Sequence, residues 1–277
     1  MRYRLCAFAD EADKNVDAQI LALVQNGISL LEIRGVDGTN ISDITPDKAK
    51  EVRRKLDDSG IKVWSIGSPL GKIKITDDMA PHLDKFKRTL QIAHILGTSR
   101  MRIFSFYVPK RTEDDHSEEV LTRLDKFRSA ARGSGIMLCH ENEKGIYGDT
   151  AQRCLRIHRE FPDIKAVFDP ANFIQSSENV ADAWETLSAY VEYMHVKDAL
   201  PNGKVVPAGC GVADFPHLLS KYGGEVLTLE PHLTVFDGLK QLEADDKTDV
   251  DEFSYPSGRV AFDTAVNALK QIIDSNK

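Results

Sequence analysis

The sequence predicts an α/β protein built as a single (β/α)8 barrel of the TIM type. Short β-rich runs alternate with amphipathic helical windows eight times along the chain. Such alternation implies parallel strands joined by helical crossovers, and eight units close a ring. The 277 residues match the roughly 250 that such a barrel needs as one domain, so one domain is expected over residues 1–277. The first β-rich run ends in Ala9-Asp10-Glu11, with no GxGxxG turn, and no GxxxxGK[ST] occurs anywhere. The open dinucleotide-binding sheet and the P-loop therefore lack their signatures.

Each unit has its own signals. Tyr3–Ala9 reads as the first strand. The helix Asn15–Gln25 follows, with Ile20, Leu21, Leu23 and Val24 on one side and Gly27 as its stop. Ser29–Arg34 is the second strand. Thr45 caps the next helix, Pro46 suits its first turn, and Gly60 closes it. Ile61–Ile66 is the third strand, broken by Gly67-Ser68-Pro69. The helix Met79–Leu96 ends at Gly97, and Arg102–Tyr107 is the fourth strand. Ser117–Ala131 is a helix ended by Gly133 and Gly135, and Ile136–Glu141 is the fifth strand. The helix Thr150–Glu160 leads to strand Ile164–Asp169, and the helix Val180–Tyr190 to strand Glu192–Lys197. The short helix Asp214–Lys221 leads to strand Val226–Glu230, and the helix Val260–Ile273 closes the chain. The long connection Pro231–Arg259 carries the acidic run Asp245–Glu252. It reads either as a solvated surface loop or as a flap using Phe253 and Tyr255.

Composition narrows the function class. With 36 basic and 43 acidic residues the formal charge is −7, and hydrophobic residues make up 42%. A disordered chain, a collagen-like chain and a disulfide scaffold are excluded. The acidic balance argues against nucleic acid as a partner. No run is long and apolar enough for a membrane helix, and the first apolar run meets Asp10 and Glu11 too early for a signal peptide. Cys6, Cys139, Cys154 and Cys210 form no CxxC pair, and Cys6 and Cys139 lie in apolar runs as small buried thiols. A reducing, cytoplasmic location is expected.

Barrel active sites lie at the C-terminal ends of the strands. Strands five to eight present Glu141, Asp169, His195 and Glu230 there. Taken singly, a glutamate could pair with a nearby base, Asp169 could cap a helix, and His195 could be a satisfied core residue. Four at successive, equivalent positions point to a divalent cation, since three carboxylates packed together would otherwise repel. The set is hard and free of thiolate. It favours Mn²⁺, Mg²⁺ or Co²⁺, with Zn²⁺ also compatible. Glu141 and Glu230 reach the centre from different strands. One could take a proton from carbon while the other returns it to the opposite face, through a metal-stabilised enediolate.

At these residues the chain resembles the xylose isomerase-like barrel superfamily of sugar and sugar-phosphate isomerases and epimerases. That group includes tagatose 3-epimerase-like enzymes, inosose dehydratases and, more remotely, endonuclease IV. The resemblance covers essentially the whole chain. It implies Glu141, Asp169, His195 and Glu230 as metal ligands, with Glu141 and Glu230 as the proton-transfer pair. Asn172 stands where tagatose epimerase-like members carry a substrate-contacting His, which argues against ketohexose 3-epimerisation itself. Pro207-Ala208-Gly209-Cys210-Gly211 is similar to the family's glycine-rich loop, or is a plain turn.

Asn172, Asn142, Lys144, Lys197 and His232 are the candidate substrate contacts. Asn142, Lys144 and Lys197 read equally as supporting or surface residues. His232 shares the Glu230 side if the strand continues. Arg34, Ser65, Ser68 and Arg102 are candidate pocket walls, and His140, alternating with Glu141, is expected to pack outward. The leading expectation is a metal-dependent isomerase or epimerase acting on a small carbohydrate, with no membrane partner. Related barrels form homo-oligomers. A lyase or dehydratase acting on a keto-sugar, keto-inositol or 3-keto-glycoside starts from the same proton abstraction. Endonuclease IV-like DNA repair and a non-catalytic sugar-binding subunit are the remote alternatives.

Overall fold

The computed structural model describes residues 3–109, 116–234 and 255–276. Eight parallel strands close into one barrel. They are β1 (Arg4–Ala7), β2 (Leu30–Ile33), β3 (Lys62–Ile66), β4 (Arg100–Ile103), β5 (Met137–Glu141), β6 (Lys165–Phe168), β7 (Val191–Val196) and β8 (Val226–Leu229). Sequence neighbours pair around the ring, and β1 pairs with β8 to close it.

Helices connect the strands: α1 (Val16–Gln25), α2 (Pro46–Asp58), α3 (Met79–Leu96), α4 (Ser117–Ala131), α5 (Ala151–Glu160), α6 (Pro170–Gln175), α7 (Val180–Leu187), α8 (Phe215–Lys221) and α9 (Gly258–Ser275). Most starts follow local chemistry. The side chains of Asn15, Thr45, Asp78, Thr150, Asn179, Asp214 and Ser257 each accept a backbone N–H of the first turn. Gly97 ends α3 in the left-handed region.

Strand periodicity sorts the side chains into two sets. One set faces the helices and joins the main apolar core, including Leu31, Ile33, Met101, Ile103, Leu138, Phe168, Met194, Leu227 and Leu229. The other set faces the barrel axis. Its lower layer is apolar, formed by Cys6, Leu30, Cys139, Val167, Tyr193 and Val226 with Trp64 and Met137 at its edge. Its upper layer is charged, because the same alternation carries Glu32, Arg102, Glu141 and His195 inward on β2, β4, β5 and β7. Arg34, Asp169, Lys197 and Glu230 follow just beyond the ends of β2, β6, β7 and β8.

Three elements differ from expectation. The fourth strand is Arg100–Ile103 rather than Arg102–Tyr107. Phe104 and Phe106 leave the barrel and donate to the carbonyls of Leu70 and Gly71. Gly71 has φ +97°, and a Cβ there would lie 2.0 Å from the Phe104 carbonyl oxygen, so only glycine fits. The helix expected over Val180–Tyr190 is α-helical to Leu187 and then tightens into a 3-10 turn at Ser188–Tyr190. The sequence reading also missed α6, which starts directly after β6 on Asp169 as its cap. Of the long connection, residues 235–254, with Asp245–Glu252 and Phe253, lie outside the described residues. Tyr255 packs, partly buried, against the main core.

Candidate metal centre

The structure brings Glu141, Asp169, His195 and Glu230 together at the C-terminal mouth of the barrel. One ligand atom from each lies within 4.8 Å of the others. Opposed ligands around one ion with bonds of about 2.2 Å stand roughly 4.4 Å apart, so a small inward adjustment would complete a shell. All four residues are at most 2% exposed. His195 is the hub. Its Nδ1 lies 3.1 Å from Oε1 of Glu141, 3.2 Å from Oε2 of Glu230 and 3.7 Å from Oδ2 of Asp169. Its Nε2 points the other way, 3.2 Å from Oε2 of Glu32.

Three buried cations surround this cluster. Arg102 Nη1 lies 2.9 Å from Oε2 of Glu141 and 3.2 Å from Oε1 of Glu230. Arg34 donates to Oε1 of Glu230 at 2.9 Å and forks onto both oxygens of Asp10 and onto Glu11. Lys197 Nζ lies 3.0 Å from Oδ2 of Asp169 and 3.4 Å from Oε2 of Glu230. Each glutamate thus turns one oxygen toward His195 and the other toward Arg102. The Phe8 ring supports both guanidiniums, at 4.3 Å from Arg34 and 4.9 Å from Arg102.

The charges constrain what the site can hold. Asp10, Glu11, Glu32, Glu141, Asp169 and Glu230 are six buried acids, against three permanent cations in Arg34, Arg102 and Lys197. A divalent cation would remove most of that imbalance, and one proton the remainder. Burial raises the Glu141 carboxyl against the attraction of His195 and Arg102. Burial acts the same way on Glu230, yet Lys197, His232 and His195 hold it well below the usual carboxylate range. Burial pushes Glu11 up to about 8 despite Arg34. Oε2 of Glu141 and Oδ2 of Asp169 are buried and accept no hydrogen bond, although Arg102 and Lys197 lie beside them. Acceptor oxygens left open in an acid-rich pocket, with an imidazole nitrogen among them, suit a hard divalent metal.

The candidate substrate contacts divide. His232, held at φ +47°, comes within 3.5 Å of Oε1 of Glu230, and burial lowers its pKa to about 4. Asn172 donates to Oε1 of Glu141 at 3.3 Å and to the Asn142 carbonyl at 2.9 Å. Lys197 lies directly beside Asp169 and Glu230, as above. Asn142 instead exchanges two hydrogen bonds with the backbone of Asp169, which fixes the position of that residue in the cluster. Lys144 donates its backbone N–H to Glu143. Arg34 and Arg102 are more than walls, since they bind the glutamates. Ser65 lies deeper, beside Tyr193, and Ser68 donates to the Arg102 carbonyl. His140 packs outward as expected, bonded to Ser105 and edge-on to His158.

Sequence reasoning missed Glu32, Tyr193 and the Asp10–Glu11 pair. A signal existed for Glu32: it stands two residues before Arg34 and so shares its inward face. The segment Pro207–Gly211 is more than a plain turn, because it wraps the Asp198 carboxylate. Asp198 accepts backbone N–H groups from Ala199, Gly209, Gly211 and Ala213 at 2.9–3.1 Å.

Comparison with known proteins agrees with this architecture. Residues 20–222 match the family model described as xylose isomerase-like TIM barrel. The chain belongs to that family. No curated protein sequence matches it. Among solved structures it is similar to D-psicose 3-epimerase with D-tagatose from Clostridium cellulolyticum H10, at 15% identity and TM-score 0.73 over 99% of each chain. It is also similar to IolI with a bound zinc atom, at 14% identity and TM-score 0.74 over 99% of each chain. A third is the probable 3-DHS dehydratase AsbF of Bacillus anthracis, at 13% identity and TM-score 0.72 over 98% of this chain and 99% of the other.

Proposed function

We propose that the protein is a divalent-metal-dependent enzyme that moves a proton at a carbon next to a carbonyl of a sugar, sugar phosphate or related polyol, as an isomerase or epimerase. The observation that carries this reading is the convergence of Glu141 and Glu230 on His195 Nδ1 from β5 and from the end of β8. Two carboxylates on different walls of one pocket can serve opposite faces of a single carbon. Glu141, Asp169, His195 and Glu230 would hold the cation, whose part is to stabilise negative charge building on neighbouring substrate oxygens. One glutamate takes the carbon-bound proton and the other returns it. Arg102 holds both carboxylates in register, and Arg34 fixes Glu230 from behind. Lys197 and His232 would supply donors for substrate hydroxyls, and Asn172, whose amide N–H groups go to Glu141 and the Asn142 carbonyl, would steady Glu141. The similarity to D-psicose 3-epimerase and to a zinc-binding IolI supports the reading.

A second reading is a dehydratase or lyase. Lys197 favours it, because its Nζ stands 3.0 Å from Asp169 and 3.4 Å from Glu230, where a fixed positive charge would stabilise the negative charge on a departing hydroxyl. Incubation of Mn²⁺-loaded protein with ketoses, sugar phosphates, keto-inositols and 3-keto-glycosides in D₂O, followed by NMR, separates the two. Deuterium at a C–H position with a new stereoisomer supports the epimerase. Loss of water or of a glycosidic bond supports the lyase, and no exchange across the panel overturns both.

A further inference from the structure

Glu32 is a fully buried carboxylate inside the barrel, below the ligand cluster. A buried carboxylate is unfavourable unless its partners compensate for the lost hydration. Its partners are two. Oε1 accepts from the Tyr193 hydroxyl at 2.7 Å, and Oε2 lies 3.2 Å from Nε2 of His195. The hydroxyl of Ser65 lies 3.3 Å from that of Tyr193 and completes the chain. Neither partner is a permanent cation. A glutamine of the same shape would satisfy Tyr193 without the cost of a buried charge, so the carboxylate is explained by what it does to His195.

A neutral imidazole carries one N–H, and the nitrogen that binds a cation must be the bare one. Nδ1 is the nitrogen facing Glu141, Glu230 and Asp169, so the proton must sit on Nε2. An ionised carboxylate only accepts hydrogen bonds, and therefore favours a proton on Nε2 whatever stands at Nδ1. We propose that Glu32, held by Tyr193, is a positioning residue that keeps the proton of His195 on Nε2 and its Nδ1 lone pair on the metal centre. This rests on the metal-centre reading above. The Phe8 ring meets the imidazole edge-on at 5.3 Å, so ring tilt has a separate support and the hydrogen bond sets the tautomer.

The test compares wild type with Glu32→Gln and Tyr193→Phe. The glutamine amide can donate to Nε2 and so stabilises the wrong tautomer. Calorimetric titration with Mn²⁺ is expected to show affinity weakened about 10- to 100-fold in Glu32→Gln, and several-fold in Tyr193→Phe. The Co²⁺ absorption spectrum of Glu32→Gln is expected to change, a readout that a loss of metal-free stability alone would not move. Mn²⁺ affinity within about threefold of wild type, or a loss confined to metal-free stability, overturns the role of Glu32. If Glu32→Gln fails to fold, Tyr193→Phe decides by the same titration. A wild type that binds no divalent cation overturns the metal-centre reading instead.

Discussion

The Arg102 guanidinium lies 2.9 Å from Oε2 of Glu141, and both side chains are at most 2% exposed. The contact is one arm of a clamp, since the same nitrogen reaches Glu230. Removing one partner of a buried charge pair costs about 3–5 kcal/mol. Arg102→Met is therefore expected to lower metal-free stability by roughly that amount, read from urea denaturation. Arg102→Lys is expected to recover part of it, because an ammonium keeps the charge beside both carboxylates but loses the Nη2 hydrogen bond to the Gly67 carbonyl. An unchanged urea midpoint in Arg102→Met would remove the clamp from the account.

Glu141→Gln and Glu230→Gln are each expected to reduce turnover about a thousandfold or more, with circular dichroism unchanged. On the proposed reading both substitutions remove a base and a metal ligand together. Metal titration alongside kinetics separates the two losses. Full activity in either variant would make the two-base mechanism wrong.

A bound cation stabilises the folded state alone. At a hundred times its Kd the gain is about 2.7 kcal/mol, which for a chain of this size raises Tm by roughly 5 °C. EDTA treatment is expected to lower Tm by that amount and Mn²⁺ to restore it. Asp169→Asn is expected to flatten this response.

The pH dependence of stability has sources outside the centre. Burial pushes His82 down to about 4, helped by Lys85 and Arg123, and its Nε2 accepts the Gly71 N–H at 2.8 Å. Burial likewise holds His158 near 4. Both folded pKa values lie below the unfolded value of about 6.5. The unfolded chain binds more protons in that window, so stability is fully present above pH 6.5 and is lost as pH falls toward 4. Each group contributes a slope of at most about 1.4 kcal/mol per pH unit, and His82 less because it is only partly buried. Urea midpoints between pH 7.5 and 4.5 are expected to fall less steeply in His82→Gln than in wild type.

Asp198 gathers four backbone N–H groups on one carboxylate. Asp198→Asn turns an amide donor toward some of them and is expected to cost about 2–3 kcal/mol. Limited proteolysis is expected to open a new site within residues 207–213.

The barrel was legible because its helix signals are local. Thr45-Pro46, Asn15 and Gly97 mark ends without reference to distant residues, and the expected span Met79–Leu96 is the observed one. The four centre residues were legible through strand parity and the rule that barrel chemistry sits at strand ends. What stayed hidden depends on distance in sequence. The Glu32 contact with His195 spans 163 residues, and nothing local to SLLEIR announces it. Arg34 and Arg102 were visible as inward residues, but their choice of Glu230 and Glu141 follows from closure of the ring. Helix α6 has only six residues, too few for a readable periodicity.

The layer of Cys6, Leu30, Cys139, Val167, Tyr193 and Val226 acts as a stopper under the charged ring. Among the described residues this layer closes the barrel axis below Glu32 and His195, so on the proposed reading a substrate would approach Glu141 and Glu230 from the C-terminal mouth, and a product would compete with it for that same side.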